Sequence, residues 1–133
     1  MQQPEHPNVT TVREMFAAFR SADLAAIVQA IPESLVWHFP GRHGGLAGAH
    51  RGRDAVLGFL ARVVELSGGT FHLDIEDVVG GDRNVIAIFR GHGVRGAKTL
   101  DNPTCLRIRF EDGRPAEIHE FVWDLYGVDD FWS

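Results

Sequence analysis

One cysteine, one tyrosine and no long apolar run set the first limits on this chain of 133 residues. Cys105 has no partner within the sequence, so no internal disulfide is expected. Its place in an apolar, strand-like run fits a small core residue better than a nucleophile. No apolar stretch approaches the roughly 20 residues of a membrane-spanning helix. The opening Met1-Gln2-Gln3-Pro4-Glu5-His6-Pro7 has no basic-then-apolar signal pattern, so the cytoplasm is the expected compartment. Acidic residues outnumber basic ones, 18 to 13, and the net charge is −5. The basic residues are scattered, which excludes a nucleic-acid groove. There is no HExxH and no cysteine pair, and His38, His43 and His50 fit no compact ligand spacing, so no metal is expected. No GxxxxGK[ST] and no strand-bounded GxGxxG occurs, so the glycines form no phosphate cradle, and no cofactor is expected. The serines sit at cap-like or terminal positions, which argues against a serine nucleophile.

What is present reads as one α+β domain over residues 1–133, with residues 1–8 as a loose arm because Pro4 and Pro7 discourage helix. Thr11 and Glu14 fit a capping box, and Val12, Met15, Phe16 and Phe19 follow at helical spacing. A second short helix runs from Leu24 to Ala30, stopped by Pro32. Leu35–Phe39 reads as a strand. Residues 40–52, rich in Gly and His, read as a surface loop. Asp54 precedes a third helix that Gly68-Gly69 ends. From residue 70 the period changes to two, and turns at Gly80-Gly81-Asp82, Arg95-Gly96-Ala97 and Asp112-Gly113 separate four strands. Three N-terminal helices therefore pack against one face of a curved, mostly antiparallel sheet.

The last strand, Ala116–Asp124, ends on a carboxylate and is followed by an aromatic tail through Phe131-Trp132. Alternation puts Asp124 on the face of Ile118, Glu120 and Val122. A buried carboxylate must be paired, neutralised or used. On a concave face it could take a proton next to a carbonyl or activate a water. The alternative is a structural Asp that caps the chain end or pairs with an arginine. His38 shares a strand face with Val36 and Pro40, and is either a site residue or a satisfied rim histidine. Arg90 and His92 form a polar strip on a middle strand. It is either an anion-holding wall or a solvated edge, and Glu120 is a candidate partner for it. The aromatic tail must pack back on the domain or onto a neighbouring subunit.

Several strings resemble the SnoaL-like branch of the nuclear transport factor 2-like superfamily. They are Ala22-Asp23-Leu24, Val36-Trp37-His38-Phe39-Pro40-Gly41, Gly48–Val56, and Glu120–Tyr126 through Phe131-Trp132. The resemblance implies a cone-shaped sheet wrapped around the helices, a mostly apolar pocket in its mouth, and a homodimer. Ketosteroid isomerases of that superfamily use a first-helix tyrosine where this chain has Met15. Their base lies at His38-Phe39-Pro40 and their acid at Thr104-Cys105-Leu106, so their residues are absent at the matching positions. Cyclases and limonene-type epoxide hydrolases place a key aspartate on the last strand, where Asp124 stands. The hydrolases hold a water two residues before a proline, where His38 stands, and need an arginine for which Arg90 is the stand-in. The resemblance thus implies Asp124 and His38 as the catalytic pair. Arg90, His92 and Glu120 would then touch the substrate, and Trp37, Phe39, Met15, Phe16, Phe59 and Val122 would wall the pocket.

Three functions remain open: a cofactor-free acid/base enzyme on a small apolar carbonyl or epoxide-like compound, a non-catalytic binder of an apolar metabolite, and a dimeric interaction module.

Overall fold

The computed structural model describes residues 4–133. Helix α1 spans Pro7–Ser21 and starts earlier than the sequence suggests. Pro7 is at the first helical position, where its missing N–H costs nothing, and His6 caps the helix by accepting from Asn8 N at 3.1 Å. The loose arm therefore does not reach residue 8, and its first three residues lie outside the described part. Asp23 caps α2 (Leu24–Ala30) by accepting from Ala26 N. Strand β1 (Val36–Phe39) pairs with β2 (Gly48–Arg51), so the expected 40–52 loop contains a strand. Then follow α3 (Arg53–Leu66), β3 (His72–Gly80), β4 (Asn84–Arg95), β5 (Lys98–Glu111), β6 (Arg114–Val122) and α4 (Leu125–Phe131).

The six strands form one curved open sheet in the order β2-β1-β6-β5-β4-β3. Every neighbouring pair is antiparallel except β1 with β6. The β5–β6 hairpin turns at Asp112 and Gly113, both with positive φ (50° and 74°), which a type I′ turn requires. Register shifts at Ile75/Asp77 and Arg109/Phe110 add twist where the sheet bends.

One face of the sheet is apolar. Val85, Ala87, Leu106, Ile108 and Ile118 are buried there, against Val9, Val12 and Val56 of α1 and α3. A second cluster joins Phe39, Leu46, Phe59 and Leu100 to Val128, Phe131 and Trp132. The aromatic tail therefore packs back as α4 and closes one end of the sheet. Gly93 lets it close, because a Cβ there would stand 3.3 Å from the Phe131 ring. Asp129 of α4 also accepts from the backbone amides of Arg42, His43 and Gly44 at 2.6–3.1 Å, tying down the β1–β2 connection. Among the described residues no helix is long and apolar enough to cross a membrane.

Candidate functional site

Between the helices and the apolar sheet face lies a cavity of about 100 Å³. A single water needs on the order of 10–15 Å³ of such space, so several fit. Its walls are hydrocarbon: Met15, Phe16 and Phe19 from α1, Phe59 and Leu60 from α3, and Phe89 from β4.

Four polar side chains reach it. Trp37 on β1 and Glu120 on β6 meet across neighbouring parallel strands, and the indole N–H donates to the Glu120 carboxylate at 3.1 Å. Glu120 is half-buried as a residue, and desolvation of its carboxyl among the cavity walls pushes the group up to about 7, with the indole hydrogen bond opposing the rise in part. Thr104 and Asn102 continue the polar strip along β5. Leu106 stands opposite Glu120, so Thr104 is its diagonal neighbour, roughly 7–8 Å away for such pairs. Asn102 Nδ2 donates to Thr104 Oγ1 at 2.8 Å, and that hydroxyl donates to Asn102 O at 3.2 Å. Asn102 Oδ1 is buried with no partner. An unpaired buried acceptor costs about 1–3 kcal/mol, so this oxygen is open to a donor in the cavity. Among the lining residues Glu120 is the sole ionisable side chain.

Of the residues expected at the site, Met15, Phe16, Trp37, Phe39, Phe59 and Glu120 line the cavity. Val122 packs beside it against the second core cluster. The others lie elsewhere. Asp124 does not point inward: β6 ends at Val122, and Asp124 is exposed and caps α4 by accepting from Gly127 N at 3.0 Å. His38 sits on the opposite sheet face, because Trp37 and Phe39 are the inward pair of β1. There His38 bonds Glu117 at 2.7 Å. Arg90 and His92 are also on the outer face, where Arg90 pairs with Asp101 at 2.9 Å and His92 with Asp74 at 3.0 Å. Both project from the solvent-facing side of β4, an interior strand of the sheet. His43 and His50 are likewise outside the lining.

Asn102 and Thr104 were not expected at the site. Their signal was present: they occupy the period-two face of Leu100, Leu106 and Ile108. Polar residues on a buried face mark a site when nothing else satisfies them.

The SnoaL-like domain family matches residues 12–118. An uncharacterised protein of Mycobacterium tuberculosis is 34% identical over 123 residues, 92% of this chain and 93% of its own. Among solved structures, Bal32a from a soil-derived mobile gene cassette superposes with a TM-score of 0.89 at 38% identity, covering 96% of this chain and 97% of that one. A protein from Jannaschia sp. described as a SnoaL-like polyketide cyclase has a TM-score of 0.73 at 20% identity, covering 100% and 96%.

Proposed function

The chain belongs to the SnoaL-like domain family, and from that premise we propose that Glu120 moves a proton on a small apolar carbonyl compound held in the cavity. The chemistry is cofactor-free acid/base catalysis of the cyclase and isomerase type, centred on Glu120 in the cavity, whereas Asp124 caps α4. One observation carries it. A single carboxyl stands among aromatic and aliphatic walls, held by one indole N–H, with its pKa raised to about 7. A group that titrates near neutrality can both take and return a proton at the working pH. As a carboxylate it removes a proton next to the carbonyl. As the acid it delivers a proton to the carbon or oxygen that carries the electron pair. Asn102 Oδ1 accepts from a hydroxyl or enol of the same ligand.

The test is solvent deuterium exchange at the α-carbon of enolisable apolar ketones, followed by NMR. The wild type exchanges at a rate that rises with pH through about 7, tracking Glu120 ionisation. Glu120→Gln loses at least about 100-fold, the usual scale of a positioned base. Exchange that survives the substitution contradicts the reading.

A second reading is a binding protein. It is favoured by the absence of any cationic side chain among the lining residues to steady an enolate. Ligands that bind the wild type and Glu120→Gln alike, without exchange in either, support it. In both readings a second copy of the chain covers the exposed Phe121, Trp123 and Tyr126.

A further inference from the structure

The parallel pairing of β1 with β6 places His38 opposite His119, with Glu117 opposite Val36 one step away. All three residues project from the sheet face that points away from the cavity, and all are partly buried. We propose that His38, Glu117 and His119 form a binding site for a divalent transition ion of the zinc class. The proposal is independent of the cavity reading.

Two observations carry it. One ligand-capable atom from each residue lies within 4.8 Å of the others. A tetrahedral zinc ion with bonds of about 2.0–2.1 Å sets its ligand atoms about 3.3 Å apart, so small side-chain rotations complete the site. His38 Nε2 already stands 2.7 Å from Glu117 Oε2, and the two imidazoles are stacked with centroids 4.2 Å apart. Second, His119 Nδ1 is buried and has no hydrogen-bond partner. The hydrogen bonds of the fold leave this imidazole unsatisfied, and a bound ion engages it.

The donor set is two imidazoles and one carboxylate, with no thiolate. Such a set suits zinc and its neighbours in the transition series and leaves a fourth position for water. The nearest opposing charge is Arg109, whose Nε lies 3.6 Å from Glu117 Oε1 and whose guanidinium is also bonded to Glu111. Arg107, opposite His119 on β5, bonds Asn84 at 3.0 Å. These cations weaken affinity, and both have carboxylate or amide partners of their own.

A more exposed cluster of His72, Asp74 and His92 lies on β3 and β4 at the other end of the sheet, with two of its members exposed, and it serves as the internal control.

The full chain, stripped with chelator, is titrated with zinc by calorimetry and with cobalt by visible absorption. One equivalent binds with micromolar affinity, cobalt gives the ligand-field bands of a low-coordinate nitrogen and oxygen site, and zinc raises Tm. His38→Ala and His119→Ala each weaken binding 10-fold or more and remove the bands, while His92→Ala changes neither. His119→Gln serves where the alanine variant fails to fold, because it keeps most of the side-chain volume. No binding by the wild type below millimolar zinc overturns the proposal. So does binding that survives the His119 substitution or is lost in His92→Ala.

Discussion

A carboxyl that titrates near neutrality among aromatic rings marks stability as well as rate. Glu120 keeps its proton in the folded state up to about pH 7, whereas the unfolded chain releases it near 4.5. The stability linked to that proton is complete below pH 4.5 and is lost as pH rises through about 7. Glutamine mimics the protonated acid and does not titrate. Glu120→Gln therefore matches the wild type near pH 4.5 and exceeds it at pH 8 by on the order of 3 kcal/mol, as urea melts at the two pH values will show. Equal stabilities at pH 8 count against a desolvated Glu120 carboxyl. Trp37→Phe removes the one hydrogen bond that lowers the Glu120 pKa, so the midpoint of any Glu120-dependent rate moves upward. The face of Glu120 was legible from its alternation with Ile118. Its importance was not, because Asp124 has the same parity and the strand ends at Val122, before it.

At the scale of elements, the end of β6 and the start of α4 explain that stop. By alternation the strand reads through to Asp124, yet Asp is also a strong helix cap, and here the cap prevails. Asp124→Ala costs about 0.5–2 kcal/mol in thermal or urea melts and leaves cavity chemistry intact; Asp124→Asn, itself a good cap, costs little. A large loss of ligand turnover in Asp124→Asn contradicts this assignment. Asp129 has the other structural duty of α4. Its carboxyl is held below the usual range by the Gly44, Arg42 and His43 amides, so its contribution is present above pH 3.8 and falls away as pH drops through the folded value. Asp129→Asn lowers Tm at pH 7 and speeds amide exchange over residues 40–47. β1 was harder to read. In Val36-Trp37-His38-Phe39 both faces carry apolar residues, so alternation alone does not say which side is buried, and the parallel partner β6 lies about 80 residues away.

For the whole molecule, the order of helices followed by a meander was plain from the switch of period near residue 70 and from the turn residues. The sheet order was not, because β2 hides in a glycine-rich connection and β1 pairs in parallel with β6, a strand far along the chain. The fold leaves Trp123 and Tyr126 more than four-fifths exposed and Phe121 more than half. Those three side chains predict self-association: light scattering gives twice the chain mass, and Trp123→Ala shifts it toward the monomer. A wild-type monomer at high micromolar concentration excludes that arrangement.

The most direct test is a carbon-13 titration of the side-chain carboxyl of Glu120, assigned by its loss in Glu120→Gln. A midpoint near 7 places the acid in a water-poor hollow with one donor, as the account requires. A midpoint near the ordinary glutamate value of about 4.3 means that the carboxyl is solvated, and the cavity then has no acid to do its chemistry.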